Sequence, residues 1–250
     1  MKTLIVKLGA LGDVVRTTPL LRVLKGDVVW VASRPALPLL PRRRLAAALS
    51  LDDAAGLAGE RFDLVLSLDE DRRAAALASR VSAGRLVGTY LDGGGGLLYT
   101  RDSASWFDMS LVSRLGRAEA DRRKLANRRT YQEHLFAMLG RRFSGEEYLI
   151  GPAPARRRKA KRRPPIVGLD ARAGTRWPMK RWAGYRTLAR LLEADGARPF
   201  FFRQRGRLAD FARDIAACDL VVCGDTLTMH LALALGVPAV ALFLCTSPAE

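Results

Sequence analysis

Residues 218–243 read CDLVVCGDTLTMHLALALGVPAVALF, and their pattern decides the fold class. An apolar run at 219–223 ends in a polar turn, helical spacing follows at 226–235, Gly236 stops it, and a second apolar run fills 238–243. The spacing predicts strand, amphipathic helix and strand, the unit that joins parallel neighbours through a crossover helix. The same alternation extends outward. Upstream, 166–170 and 198–202 read as strands, and 181–195 and 208–217 as helices. At the start of the chain, TLIVKL (3–8), VVWVAS (28–33) and DLVLSL (63–68) are strand runs, with helical spacing at 13–25 and 72–80. RLVGTYLDGGGG (85–96) predicts a short strand and a four-glycine loop outside regular structure. NRRTYQEHLFAMLG (127–140) predicts a helix with Thr130 as N-cap, Glu133 in capping-box spacing and Gly140 as stop. Such alternation defines an α/β protein with parallel sheets.

GPAPARRRKAKRRPP (151–165) holds four prolines and, from Arg156 to Arg163, seven cations in eight residues. It cannot bury a core and reads as a linker. The expected organisation is therefore 1–150, a first α/β domain; 151–165, the linker; and 166–250, a second α/β domain. An apolar content of 49% with 27% charged residues excludes disorder throughout. The 42 basic residues, 35 of them arginine, exceed the 25 acidic ones by 17. That excess fits a surface for phosphates, acidic lipid or nucleic acid, or an arginine-rich solvated face. Nucleic acid is disfavoured, because no reading motif and no basic face interleaved with aromatics is present. Cys218, Cys223 and Cys245 lie in apolar runs without metal-ligand spacing and read as small buried hydrophobes in a reducing compartment. MKTLIVKLGALGD lacks the apolar core and cleavage site of a signal peptide, and no run of about 18 apolar residues occurs. The expected location is cytoplasmic.

In parallel α/β sheets ligands sit at the carboxyl ends of strands, against helix N-termini. In GALGDVV, Gly9 and Gly12 admit close backbone approach, but the spacing is neither GxGxxG nor a P-loop. Asp13 there reads as a helix cap, a phosphate-loop neighbour or a catalytic base. GDTLTMH sets Asp225, Thr226 and Thr228 around a helix start, a cradle for a diphosphate, with His230 one turn in and facing either a ligand or the sheet. ARAGTRWPMKRW (171–182) holds four cations. Lys180 and Arg181 either neutralise a phosphate leaving group or form a solvated first turn, with Trp177 and Trp182 as packing anchors. The basic linker reads as a contact for anionic lipid or as a solvated tether.

Taken together, LIVKLGALGDVVRTTPLLRVL, NRRTYQEHLFAMLG, RWPMKRWAGYRTLARLL and CDLVVCGDTLTMHLALALGVPAVALF, in that order, resemble glycosyltransferase family 9, the ADP-heptose:lipopolysaccharide heptosyltransferases. The resemblance covers most of the chain. It implies a GT-B fold of two Rossmann-like domains with parallel sheets, the first for the acceptor and the second for the nucleotide sugar, with the reaction between them. It further implies inverting, metal-independent transfer of a heptose-like sugar from ADP-heptose, bound as substrate, to a lipopolysaccharide-core-like acceptor. No cofactor is implied, and the cytoplasmic face of the inner membrane, with peripheral contact to an anionic surface, is the implied place of action. Carried over by residue, Asp13 is the general base, and Lys180, Asp225, Thr226, Leu227, Thr228 and His230 bind the donor. Lys7, Gly9 and Gly12 support the loop.

The sequence also departs from the family pattern. Gly9 and Ala10 stand where serines are common, and Leu227 stands where the donor turn usually has glycine. After RPFFF only RQRGR precedes the next helix, and the sequence ends at FLCTSPAE, so the C-terminal sheet is expected to be incomplete. A degenerate or shortened relative that binds phosphosugar or anionic lipid without turnover is the alternative expectation.

Overall fold

The computed structural model describes residues 1–151, 164–174 and 177–247. All but the ends of the linker expected at 151–165, and the final three residues of the chain, lie outside the described residues. Two units form, one from Met1–Leu149 and the other from Ile150 onward.

The first unit runs β1 (Lys2–Val6), α1 (Leu11–Thr17), β2 (Asp27–Ala32), β3 (Ala47–Ser50), β4 (Arg61–Ser67), α2 (Arg72–Arg80), β5 (Ser82–Leu91), β6 (Leu97–Tyr99), α3 (Ala104–Phe107), α4 (Arg117–Ala126) and α5 (Tyr131–Met138). Its sheet has the order β3-β2-β1-β4-β5-β6. All neighbours are parallel except the β5–β6 pair. β1 is central, and its near-continuous apolar run is what a strand buried on both faces requires. Successive side chains serve opposite faces. Leu4 and Val6 join a core with Val29, Val65 and Ala74, Leu77 and Ala78 of α2. Ile5 joins the other core, with Trp30, Leu66, and Tyr131, Leu135 and Phe136 of α5. Each fully buried Leu, Ile, Val or Phe side chain among them contributes about 1.5–3 kcal/mol relative to exposure.

Several expected boundaries move for identifiable reasons. The helix expected at 13–25 starts at Leu11 and passes into a 3-10 turn, Thr18–Arg22, where Pro19 lacks the N–H that would continue the α ladder. The helix expected at 127–140 begins only after Thr130, whose hydroxyl accepts from Glu133 N–H while the Glu133 carboxylate accepts from Thr130 N–H at 2.6 Å. The four-glycine loop is the turn of the β5–β6 hairpin: Asp92 N–H donates to Gly96 O at 2.9 Å, and the Asp92 carboxylate accepts from the N–H groups of Gly94 and Gly96. The sequence reading missed β3, β6, α3 and α4. All but α4 are four residues or fewer, and α4 has one buried residue, so none carries a strong periodic signal.

The second unit runs β7 (Ile166–Asp170), α6 (Tyr185–Ala194), β8 (Arg198–Phe201), α7 (Leu208–Ala216), β9 (Leu220–Gly224), α8 (Leu227–Ala234) and β10 (Ala239–Leu242). The four strands are parallel in the order β10-β9-β7-β8. The helix expected at 181–195 starts four residues later, after Gly184. α8 is not amphipathic as expected. Thr228, His230, Leu231 and Ala232 are buried while Leu233 is half exposed, so apolar side chains occupy most of its circumference.

Strand order locates the sites. In an open α/β sheet the crevice for a ligand lies outside the carboxyl ends of the two strands where the winding direction reverses. These strands are β1 and β4 in the first sheet, and β7 and β9 in the second.

At the centre of the second sheet Gly168 leaves room for its neighbours. A Cβ there would stand 2.6 Å from the Phe202 ring and 2.8 Å from Cys218 Sγ. Gly168→Ala is expected to destabilise the chain by about 1–3 kcal/mol, read as a lower denaturant midpoint. An unchanged midpoint would show that the Phe202 ring moves aside at no cost.

Candidate functional site

At the first switch point β1 delivers Lys7 and β4 delivers Asp69. Lys7 Nζ lies 2.7 Å from Asp69 Oδ1 and 3.3 Å from Leu68 O, and both residues are buried. The other carboxylate oxygen of Asp69 accepts from Leu8 N–H. Burial pushes the Asp69 carboxyl up while Lys7 and the Leu8 N–H oppose it, and with both oxygens accepting the ionised form is the one that fits the geometry. Burial by itself would lower the Lys7 pKa, but Tyr131, Asp69 and Asp13 together outweigh it, and the ammonium ends above its ordinary value. Tyr131 acts in this way only when ionised, and burial raises its own pKa. Near neutral pH, therefore, the carboxylates hold the charge on Lys7.

This buried pair fixes the start of the loop that carries Gly9, Gly12 and Asp13. A Cβ at Gly9 would meet nothing within 4 Å, whereas Gly12 is buried inside α1. Asp13 is the third residue of α1, and its carboxylate accepts from Ala10 N–H at 3.1 Å, so the capping reading is realised. Its other oxygen lies 3.0 Å from Arg16 Nε, and its side chain remains 32% exposed. One carboxylate thus caps the helix and still faces solvent. Arg16 in turn stacks 4.1 Å from the Tyr131 ring centroid, and Tyr131 Oη lies 3.0 Å from Thr17 Oγ1. The sequence reading missed Asp69, Arg16 and Tyr131. The available signal for Asp69 was an acid directly after the strand run 63–68, in SLDED.

At the second switch point Lys180 comes from a 3-10 turn, Pro178–Lys180. Its Nζ donates to Asp225 Oδ2 at 2.7 Å and to Asp225 O at 2.9 Å. Burial pushes the Asp225 carboxyl up, but Lys180, with help from Thr246 and His230, outweighs it and holds the group below its usual value. Thr226 is the N-cap of α8 and makes no side-chain cap bond. Its buried hydroxyl has no hydrogen-bond partner among the described residues. The first amides of α8 are therefore uncapped by a side chain, the arrangement that favours an anion. Leu227 is the first residue of the helix.

Thr228 is engaged within the unit. It is buried and its hydroxyl donates to Asp170, at the end of β7, which also accepts from Arg172 Nε at 2.7 Å. His230 is buried one turn into α8. Asp170 and Arg172 are further site residues that the sequence reading missed, although Asp170 closes the run IVGLD. Trp177 and Trp182, one alternative for which was as packing anchors, are 49% and 37% exposed. Cys245 is exposed where burial was expected, while burial pushes the thiols of Cys218 and Cys223 up to about 12. Among the described residues no group of three or more His, Cys, Asp or Glu side chains is placed to hold a metal ion, and no helix is long and apolar enough to cross a membrane.

Each unit thus carries an α/β sheet with charged groups at its switch point, every neighbouring pair being parallel except β5–β6, in keeping with a GT-B fold. The model of glycosyltransferase family 9 (heptosyltransferase) matches residues 203–250, the span that contains α7, β9, the Asp225–Thr226 turn, α8 and β10. No curated protein matches the chain. Among solved structures, the glycosyl transferase family 9 protein from Veillonella parvula is 18% identical with a TM-score of 0.64, over 96% of this chain and 79% of that one. E. coli heptosyltransferase WaaC with ADP-2-deoxy-2-fluoro heptose is 18% identical with a TM-score of 0.63, over 100% and 91%. E. coli ADP-heptose lps heptosyltransferase II is 16% identical with a TM-score of 0.54, over 100% and 86%. The resemblance to glycosyltransferase family 9 therefore holds, in sequence over 203–250 and in fold over nearly the whole chain.

Removing one partner of the buried pair strands a charge. Asp69→Ala is expected to destabilise the first unit by about 3–5 kcal/mol, and the double variant Lys7→Met/Asp69→Leu to recover most of that loss, both read by chemical denaturation. For Asp225 the folded pKa is depressed, so its stabilisation is complete above the unfolded value of about 3.9 and is lost as pH falls through the folded one. Asp225→Asn is expected to cost about 1–2 kcal/mol at neutral pH, with the difference from wild type vanishing in strong acid.

Proposed function

We propose that the chain is an inverting glycosyltransferase that moves a heptose-like sugar from a nucleotide diphosphate sugar, ADP-heptose by family resemblance, to a lipopolysaccharide-core-like acceptor at the cytoplasmic face of the inner membrane. The observation that carries this reading is that the family match spans the uncapped α8 N-terminus with its buried Thr226 hydroxyl, at the switch point where a nucleotide ligand belongs. The ADP-bearing WaaC complex supports a nucleotide-sugar donor for this chain.

In this reaction an acceptor hydroxyl attacks the anomeric carbon, the bond from that carbon to the diphosphate oxygen breaks, and configuration inverts. Asp13 takes the hydroxyl proton as general base, which the partial exposure of its carboxylate permits. The departing diphosphate carries the electron pair away, and Lys180, the first α8 amides and Thr226 stabilise its charge. Lys180 is already paired with Asp225, so donor binding adds phosphate oxygens to an existing network. Asp170 holds Thr228 and thereby the angle at which α8 meets the ligand. No metal and no cofactor enter this scheme.

Release of ADP from ADP-heptose, measured with wild type and Asp13→Asn, tests the assignment. The variant is expected to lose about 10²- to 10⁴-fold in kcat, with the KM for donor little changed because the donor groups lie in the second unit. Equal turnover by both proteins would remove Asp13 from the role of base. Donor binding by the wild type without any release would favour the non-catalytic relative.

A further inference from the structure

Residues 109–129, MSLVSRLGRAEADRRKLANRR, carry seven cations and two acids. The segment contains α4, a ten-residue helix with Ala120 as its one buried residue. Such a helix adds almost nothing to the core of its own unit, so most of its circumference faces outward. Opposite Ala120, Ala118, Arg122 and Leu125 follow at i, i+4 and i+7 and share one face. Leu125 on that face is 81% exposed, and Leu111 and Leu115, just before the helix, are 72% and 42% exposed.

The segment is nevertheless held in place. Arg123 lies 3.0 Å from Asp108, and Glu119 pairs with Arg122 and Arg123 at 2.7 and 2.8 Å. Arg117 pairs with Asp121 at 2.7 Å, and the Arg114 guanidinium sits 4.3 Å from the Tyr99 ring centroid. Both acids of the segment are thus engaged by its own arginines, and the cationic excess remains.

We propose that this segment docks the protein on an anionic lipid bilayer, with Leu111, Leu115 and Leu125 entering the headgroup boundary and the surrounding arginines meeting lipid phosphates. Scattered single leucines are ordinary on a protein surface, but three within one strongly cationic segment of 21 residues match an interfacial anchor. A bilayer fits better than a nucleic acid. Aliphatic side chains gain from hydrocarbon, whereas the segment offers no aromatic ring on which a base could stack. The surface adds to the proposed function a place where a lipid-linked acceptor is met, and it rests on that reading for its purpose alone. Vesicle binding is measured without donor or acceptor, so failure of either proposal leaves the other standing.

The test is co-sedimentation of the full chain with vesicles of phosphatidylcholine, alone or mixed with phosphatidylglycerol. Binding is expected to be roughly 10-fold or more tighter on the anionic vesicles and to weaken between about 0.1 M and 0.5 M salt. The triple variant Leu111→Ser/Leu115→Ser/Leu125→Ser is expected to lose roughly 10- to 100-fold in vesicle affinity with a melting profile little changed, because Leu111 and Leu125 are mostly solvated and none of the three is buried. Arg128→Gln/Arg129→Gln is expected to lose about 10-fold on anionic vesicles alone. If both variants bind like wild type, while neutralising the cations of 156–163 abolishes binding, the linker is the anchor and the proposal is overturned. Loss of affinity for duplex DNA with vesicle affinity intact also overturns it.

Discussion

A buried ion pair, Lys7 with Asp69, closes the carboxyl edge of the first sheet, and the geometry of the loop beyond it follows from that contact. Lys7 leaves the central strand pointing into a space where it cannot reach water, so a carboxylate must meet it. Asp69 does so from the neighbouring strand, and its second oxygen takes the Leu8 N–H. Such a pair is a poor source of net stability, since desolvation offsets most of the Coulomb attraction. Its effect is geometric: the chain leaves β1 in one direction, and Asp13 arrives at the mouth of α1 in one orientation.

The second sheet uses a carboxylate in a comparable place for a different purpose. Asp170 at the end of β7 binds the Thr228 hydroxyl from α8 and the Arg172 guanidinium from its own loop. The helix that presents its amides at the switch point is thereby tied to the strand beside it. Lys180 and Asp225 add a second, partly exposed pair at the same mouth. On the proposed reading, a nucleotide diphosphate at this mouth would meet a cation and uncapped amides on elements whose positions packing has already set.

Much of the fold and part of the site were legible in the sequence, and the difference follows from range. The buried parallel strands announce themselves because burial on both faces demands an unbroken apolar run, as in DLVVC and TLIVKL. The α5 start was legible because a capping box is a local contact between Thr130 and Glu133. β3, α3 and α4 were not, since AALS and ASWF are too short to show a period and α4 buries one residue. At the sites, Asp13, Lys180 and Asp225 stood out because they lie in glycine- or proline-marked turns beside strand or helix ends. Asp69 and Asp170 look like ordinary strand terminators until their partners, 62 and 58 residues away, are placed beside them.

By itself the sequence determined the α/β class, the parallel sheets and the strand ends where charged groups gather, because periodicity and turn chemistry are properties of neighbouring residues. Tertiary structure decided the strand order, and with it which two strand ends in each sheet form the crevice. It also decided that Asp13 caps its helix and still faces solvent, that Thr228 is held by Asp170, and that α4 stands with Leu125 in water. Those outcomes depend on which buried charges and apolar faces find partners across the fold, and spacing along the chain does not encode them.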